Sequence, residues 1–461
     1  MYLTPDTGGS EPGRKPAVEY AAQVASPIAS GEARLTIGEN ALTIAALFVT
    51  VDVTFAEMND IRLTNYVVTV KADSGNYSFS RMGSWCQPFY DALYGAYNKA
   101  VLRSMFIEGD PIVTARGYCR FSETCAETAM ATAPASMQSM GNMAVPVHVY
   151  ENNVTALPPD LTARRVPLCF VCGIEQGSFE LVLKLDTGES YSYAKLGFET
   201  APFLEAVEKQ IRKLREKTLA AVRGIDATLT AMQASQLAGL IPRGVAAPIG
   251  RLADISPSFV AALENKIAAT RAADSYAAFK ELCGPARIWV GFREADNAEA
   301  DAPGSVGAGT IGAEAAAPGS VGAGHPAPGS VAEGDGAGAI GAADGGGGSP
   351  GPYMIWLIAP SPNGEFAAVE FAVADSATFV YRTGGNFEGF ARQLNRALEA
   401  INFRREVIRL ADWELLRPEN ADYYMAAKRT AALRFVRSSF AGRVIHSGAG
   451  SWRRKLTELW A

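Results

Sequence analysis

An internal repeat limits what this chain can fold into. Residues 66–88 read YVVTVKADSGNYSFSRMGSWCQP, and residues 179–202 read FELVLKLDTGESYSYAKLGFETAP. Each stretch contains a β-rich run, an Asp-Ser/Thr-Gly turn, an alternating strand, a glycine, and a proline that opens a helical pattern. A weaker third copy lies at residues 366–387. We therefore predict three related units, each made of β-strands followed by one helix.

The helical part of each unit has one apolar face. In the second unit, apolar residues recur at three- and four-residue steps, at Phe203, Val207, Ile211, Leu214 and Val222. Hairpin patterns upstream, around residues 35–44 and 147–157, predict antiparallel strands. An apolar helix face is not stable in water, so each helix is expected to close over the sheet of its own unit.

The predicted meander with one closing helix resembles the pleckstrin-homology-like (PH-like) fold, and residues 55–61, FAEMNDI, resemble a stretch common in its bacterial members. The resemblance covers residues 30–107 and 143–224, and more loosely 285–404. It implies an α+β fold of tandem antiparallel β-sandwich or barrel modules, each closed by a C-terminal amphipathic helix. It also implies a protein-interaction scaffold and no catalysis. The first-hairpin turns lack the Lys and Arg that a phosphoinositide pocket needs.

Composition divides the chain into six segments. We predict a disordered N-terminal segment (1–29), module 1 (30–107), module 2 (143–224), a helical connector (225–284), module 3 (285–404) and a basic helical C-terminal segment (405–461). A Gly/Ala/Pro-rich insertion at 297–352 interrupts module 3 and repeats Ala-Pro-Gly-Ser-Val three times. Such sequence cannot bury enough apolar surface to offset its entropy, so we expect a low-complexity insertion within a hairpin.

The composition leaves little material for catalysis. The chain has three histidines, six cysteines and a formal charge of −6. We therefore predict no enzyme activity, no catalytic residue, no cofactor and no metal. Residues 1–15 lack the apolar run of a signal peptide, and the longest apolar run is too short to span a membrane, so we expect a cytoplasmic protein. An enzyme whose carboxylates meet between modules stays an alternative.

Two motifs have a chemical and a structural interpretation. Asp73-Ser74-Gly75 and Asp186-Thr187-Gly188 resemble the paired aspartic-protease signature, but Asp and Gly are also ordinary turn residues, and we favour turns. Cys169 and Cys172 could belong to a zinc site with Cys119 and Cys125. We favour buried structural thiols, because residues 168–172 read as a buried strand.

Basic residues gather at the C-terminus. The predicted interaction surface consists of Arg434, Arg437, Arg443, Trp452, Arg453, Arg454 and Lys455. Arginines among aromatic residues could contact nucleic acid or an anionic membrane surface. We favour docking against acidic parts of the same chain, and we expect the partner of the whole protein to be another protein or a peptide.

Overall fold

The computed structural model describes residues 18–122, 138–140, 143–294, 353–372, 377–446 and 448–460. In these residues the chain has an α+β fold with three antiparallel sheets and twelve α-helices. The predicted fold class is confirmed at this level. None of the helices in the described ranges combines the length and apolar character needed to cross a membrane.

The first sheet has seven strands and is covered by the first helix. The elements are β1 (Glu19–Ala25), β2 (Ser30–Ile37), β3 (Ala41–Ala46), β4 (Thr50–Thr54), β5 (Met58–Thr64), β6 (Val67–Ala72), β7 (Gly75–Ser80) and α1 (Cys86–Ser104). The strand order is β4-β3-β2-β1-β7-β6-β5. Phe89, Leu93 and Tyr97 of α1 are buried in the core beneath it, as predicted. We call these elements unit 1.

Strand β1 corrects the prediction of disorder over residues 1–29. It pairs with β2 along its whole length and with β7 near its end. The strand EYAAQVA buries Tyr20, Ala22 and Val24, but alanines also stand at Ala21 and Ala25 on the opposite face, so the alternation between apolar and polar residues is weak. Residues 1–17 lie outside the described residues.

The second sheet repeats the first. Its elements, which we call unit 2, are β8 (Val113–Ser122), β9 (Gln138–Ser139), β10 (Val145–Val149), β11 (Asn153–Ala156), β12 (Arg164–Pro167), β13 (Val171–Gln176), β14 (Glu180–Leu185), β15 (Ser190–Ala194) and α2 (Thr200–Ile225). The order is β12-β11-β10-β8-β15-β14-β13, with β9 beside β8. With β9 set aside, this order matches that of unit 1. Strand β8 precedes residue 143, so unit 2 begins earlier than predicted.

The segment between the second helix and the third sheet is helical apart from one short strand. It contains α3 (Ala231–Leu240), β16 (Ala247–Pro248), α4 (Ile249–Ile255), α5 (Pro257–Ala268) and α6 (Ala273–Cys283). Helix α3 begins with a capping box, in which the Thr230 side chain accepts from the backbone of Gln233 and the Gln233 side chain accepts from that of Thr230.

The third sheet, with its closing helix, is unit 3. Its further elements are β17 (Trp289–Glu294), β18 (Tyr353–Pro360), β19 (Phe366–Phe371), β20 (Ala377–Arg382), α7 (Phe387–Ala400) and β21 (Phe440–Ile445). The order runs consecutively from β16 to β21 and differs from the order in units 1 and 2. Strands β16 and β21 come from outside 285–404, so the predicted bounds are wrong. Pairing between distant segments has no local sequence signal.

Two sequence features of unit 3 lie outside the described residues. These are the insertion at 297–352 and the turn at Asp375-Ser376. The flanking strands β17 and β18 are neighbours in the sheet, as the hairpin interpretation predicts.

The C-terminal segment adds α8 (Glu406–Arg409), α9 (Asp412–Leu415), α10 (Ala421–Arg429), α11 (Ala431–Ser438) and α12 (Ala449–Leu459). It is helical except for β21.

Candidate functional site

Units 1 and 2 share a strained turn between the last strand and the closing helix. The turns span residues 81–83 and 195–197. Arg81 and Lys195 both have φ of 58°, and the glycine two residues later has φ of 56° in unit 1 and 63° in unit 2. Left-handed backbone is unfavourable for long side chains, so its recurrence shows that the repeat extends to local geometry.

Exposed aromatic side chains accompany both turns. Tyr66 is 81% and Trp85 60% exposed in unit 1, and Phe179 is 83% exposed and Phe198 fully exposed in unit 2. Tyr66 and Phe179 occupy the same position in the repeat. Single exposed apolar residues are common on protein surfaces, but a pair such as Tyr66 and Phe179 that recurs at the same place in two copies is typical of an interaction surface.

In unit 2 a basic residue, Lys195, lies next to Phe179 through the backbone and three positions before Phe198 in the sequence. The backbone N–H of Lys195 donates to the carbonyl of Phe179 at 2.9 Å. The Lys195 ammonium lies 4.9 Å from the ring centre of half-exposed Tyr118. We call Tyr118, Phe179, Lys195 and Phe198 the aromatic face. It combines apolar area with one positive charge.

A segment of unit 2 occupies the groove between β5 and α1 of unit 1. Asp160 forms an antiparallel bridge with Asp60, and the Ile61 N–H donates to the Pro159 carbonyl at 2.8 Å. The hydroxyl of Tyr94 in α1 donates to the Leu157 carbonyl. Unit 1 therefore contacts this segment of its own chain at one point of the open edge formed by β5, through a single β-bridge and a single backbone hydrogen bond.

The side chain of Leu157 anchors this segment. It is 1% exposed and lies in the core of unit 1. We expect Leu157→Ala to lower the free energy of unfolding by about 2–3 kcal/mol, because it removes buried apolar area and leaves a cavity. Chemical denaturation measures the change.

Leu161→Ala is the matched control for this prediction. Leu161 lies in the same segment but is only partly buried, so its truncation should cost less than about 1 kcal/mol. Equal effects of the two substitutions would contradict the anchoring role of Leu157.

Buried ion pairs join α7 of unit 3 to unit 2 and the connector. The fully buried Glu399 accepts from Arg165 at 3.2 Å and from Arg243 at 2.9 Å. The Arg396 Nε donates to both carboxylate oxygens of Glu189, at 2.8 and 3.2 Å. In the same helix, the Asn395 side chain bonds the backbone N–H and carbonyl of Ala246. The polar side chains in the second half of α7 are therefore buried.

The carboxylates of this junction are bound by guanidinium groups. Glu189 and Glu399 are the acidic groups that meet between units there, and each pairs with arginine. Among the described residues, no group of three His, Cys, Asp or Glu side chains is placed to hold a metal. The geometry is that of structural ion pairs between units.

The predicted C-terminal surface is divided between internal contacts and solvent. Trp452 is buried, and its indole N–H donates to Thr378 at 2.8 Å. Arg437 is largely covered and bonds Asp412 at 2.7 Å and the Val407 carbonyl at 2.6 Å. These two residues therefore cannot form part of an exposed surface. The other five members are exposed, namely Arg434, Arg443, Arg453, Arg454 and Lys455. Arg434 donates to the Lys428 carbonyl. Arg453 pairs with Glu281 at 2.6 Å, and Arg454 pairs with Glu458 at 3.8 Å.

The C-terminal segment also contacts unit 1, through Lys428. The Lys428 ammonium donates to Asp73 at 2.8 Å and to the Ala56 carbonyl at 3.2 Å. Burial alone would raise the pKa of Asp73, but hydrogen bonds from Lys428, Asn59 and Tyr424 outweigh it and lower that pKa. Burial lowers the pKa of Lys428 more than Asp73 raises it. Through this contact the C-terminal segment docks on an acidic residue of the same chain, which is the arrangement that the sequence favoured.

A second polar cluster holds the C-terminal helix on the third sheet. The Thr378 hydroxyl donates to the buried Glu370 at 2.7 Å and lies 3.1 Å from the Nε2 of His446. The His446 Nε2 is 3.5 Å from the Glu370 carboxylate. Hydrogen bonding to Glu370 raises the pKa of His446, and burial only partly opposes this. Protonated His446 therefore stabilises the fold.

This cluster predicts a pH-dependent stability. The contribution of His446 is complete below its unfolded-state pKa of about 6.5 and is lost as pH rises through the higher folded-state pKa. The difference in unfolding midpoint between the native chain and His446→Gln should thus shrink from pH 6 to pH 8. Burial lowers the pKa of His148, so the difference for His148→Gln should change with the opposite sign. A constant difference for His446→Gln would contradict the prediction.

The two Asp-Ser/Thr-Gly motifs are turns, as predicted. Asp73 lies between β6 and β7, and Asp186 lies between β14 and β15. The Asp73 carboxylate accepts a hydrogen bond from Lys428. The charged groups that act on the Asp186 carboxylate are Glu189 and Arg392. The described contacts do not bring the two carboxyls together.

The cysteines differ from the expected buried strand. Residues 168–170 form a 3-10 turn, and β13 begins only at Val171. Cys172 is exposed, whereas Cys119 is buried, which raises its thiol pKa to about 12. Cys125 lies outside the described residues. The correction arises because a local apolar run does not distinguish a strand from a short turn.

The sequence interpretation missed the junction residues. Arg396 and Glu399 lie off the apolar stripe of α7, which is the pattern of a solvated face. Arg165 and Arg243 have no helical or strand periodicity that marks them. One residue gave a sequence signal for the junction: Glu189 follows Gly188 at the position where the aspartic-protease signature has a hydroxyl residue.

Comparison with known proteins supplies no family for the chain. No protein-family model matches this sequence, and no curated protein matches it either.

Proposed function

We propose that this protein is a non-enzymatic interaction scaffold built from tandem PH-like modules, and that its partner is another protein or a peptide. The matching strand order of units 1 and 2, each with one closing helix, supports the tandem-module part of the proposal. The two sheets follow open paths in the described residues, so the likeness rests on strand order and on the helix.

The observation that carries the proposal is the occupied groove of unit 1. Residues 157–163 meet β5 at the bridge between Asp160 and Asp60, and they are held by one backbone hydrogen bond from Ile61, by the Tyr94 hydroxyl and by the buried Leu157. A module that binds an extended segment in this way has the geometry of peptide recognition by strand addition. The aromatic face of unit 2 offers a second surface that the described residues leave exposed.

The composition of the aromatic face suits a protein partner. Exposed aromatic residues supply large contact areas at low entropic cost, and they dominate the energetics of many interfaces. Lys195 favours a partner segment that carries an acidic residue next to apolar ones. The internal contacts of Trp452, Arg437 and Lys428 support docking as the main role of the basic segment.

Site-specific photocrosslinking of the full chain tests the proposal. We would place a benzophenone amino acid at Phe179, at Phe198, and at Met232 as a control. Met232 is 72% exposed and lies in α3, outside the aromatic face. After illumination in an extract of the source cells, we expect one discrete protein adduct from positions 179 and 198 and none from 232. The same adducts from all three positions, or no protein adduct, would contradict the proposal.

A further inference from the structure

The hairpin turn between β3 and β4 exposes two large apolar side chains. Leu47 is 83% and Phe48 93% exposed. They form a two-residue turn, which the Ala46 N–H closes by donating to the Val49 carbonyl at 2.9 Å. Turns of this length favour Asn, Asp and Gly, so turn chemistry does not account for leucine and phenylalanine here. We call Leu47 and Phe48 the apolar tip.

The repeat gives the apolar tip a counterpart in unit 2. The strand order matches β3 with β11 and β4 with β12. An Ala-Leu pair marks the end of both strands, as Ala46-Leu47 and as Ala156-Leu157. Leu157 is 1% exposed, because it lies in the core of unit 1 and not in that of its own unit. The same position is therefore an anchor in unit 2 and is exposed in unit 1.

The place that receives Leu157 in unit 1 also has a counterpart. It lies at β5 and α1, which correspond to β13 and α2 in unit 2. Both edge strands begin with a β-bulge, and counting from it matches Ile61 with Ile174. The Pro-Phe pair near the start of each helix matches Tyr90 with Leu204. We call Ile174 and Leu204 the receiving patch.

The matched positions differ in burial. Ile61 is fully buried and Tyr90 is 6% exposed, whereas Ile174 and Leu204 are only partly buried against the core of unit 2. Strand β13 ends its sheet in the described part of the chain, and half of its residues are exposed. Unit 1 thus has its receiving place filled and its tip exposed, and unit 2 has the reverse arrangement.

We propose that the apolar tip of one chain binds the receiving patch of a second copy of the same chain. The contact continues between chains the contact that unit 2 makes with unit 1 within one chain. The tip and the patch are different surfaces, so each bound chain still offers one of them to a further copy. The assembly is therefore head-to-tail, and it forms a ring or an open filament according to whether its rotation closes.

The contact between chains is weaker than the one within a chain. Glu208 occupies the position that Tyr94 has in unit 1, so the hydroxyl that donates to the Leu157 carbonyl has no equivalent. The contact rests on burial of the Leu47 and Phe48 side chains over a small area. It also lacks the high effective concentration of an intramolecular contact. Association therefore depends on protein concentration.

Mixing two variants of the purified full chain tests the head-to-tail contact. Leu47→Ser combined with Phe48→Ser removes the tip, and Leu204→Glu places a charge on the patch while keeping a good helix former. We expect the average mass of the native chain in sedimentation equilibrium to rise with concentration to at least twice that of one chain. Each variant alone should keep the mass of one chain. Their equimolar mixture should form dimers and grow no further, because it holds one intact tip and one intact patch per pair.

Three results of this experiment would overturn the proposal. They are a native chain that keeps the mass of one chain up to its solubility limit, a variant that assembles alone as the native chain does, and a mixture that stays monomeric while the native chain assembles. Because purified protein is used, the outcome does not depend on the partner proposed above.

Photocrosslinking of the purified chain locates the contact independently. A benzophenone amino acid is placed at Phe48 or, as a control, at Tyr66, which is 81% exposed in the turn between β5 and β6. We expect dimers of the chain from position 48, with the crosslinked peptide in β13 or α2, and none from position 66. Crosslinks to other elements, or equal dimer from both positions, would overturn the site. If Leu204→Glu does not fold, this measurement decides.

Discussion

Glu399→Gln is expected to lower the free energy of unfolding by about 3–5 kcal/mol. The carboxylate of Glu399 is fully buried and is shared by Arg165 and Arg243. Glutamine keeps the size of the side chain but removes the negative charge, so two guanidinium groups lose their shared counter-charge in the protein interior. The large effect follows from the charge left behind more than from the lost hydrogen bonds.

Chemical denaturation of the full chain measures this change. Glu388→Gln is the matched control, because Glu388 lies in the same helix and pairs with Arg392 at 3.4 Å on the surface. That exposed pair should contribute less than about 1 kcal/mol. Similar losses in the two variants would show that the buried position of Glu399 has no special importance.

Gly244→Ala is expected to destabilise the fold by about 3 kcal/mol or more. Gly244 has φ of +77°, and an added Cβ would lie 1.5 Å from the backbone carbonyl oxygen of Phe292. A backbone atom of β17 cannot rotate away, so the connector or the third sheet must shift. The shift would also move the adjacent Arg243, which binds Glu399.

A second glycine gives the control for this substitution. Gly239 lies in α3, and an added Cβ would meet no atom within 4 Å. Gly239→Ala should therefore stabilise the protein by about 0.5–1 kcal/mol, because alanine is the better helix former. Thermal or denaturant unfolding distinguishes the two signs. A neutral Gly244→Ala would contradict the close approach of the connector to β17.

The repeat in units 1 and 2 could be predicted because its signals are local. Alternating side chains in β6 and β14, the turns at Asp73 and Asp186, and the apolar stripes of the helices all depend on residues a few positions apart. The predicted antiparallel sheets and their closing helices follow from these signals. Strand β1 was not predicted, because alanines on both of its faces weaken the alternation between apolar and polar residues.

The candidate sites could not be predicted in the same way. Arg396 and Glu399 look like surface residues within their own helix, and only the approach of β12 and the connector buries them. Likewise, nothing within residues 157–163 indicates that they contact the edge strand β5 of another unit. Both features depend on contacts between segments that are far apart in sequence.

The sequence by itself determined two β-rich units with closing helices, because periodicity and turn chemistry specify local structure. The tertiary structure decided which polar residues became buried, which segment filled the groove of unit 1, and which distant strands, β16 and β21, completed the third sheet. The physical reason is that burial and strand addition depend on the surface of the other segment, and the local pattern of a chain does not describe that surface.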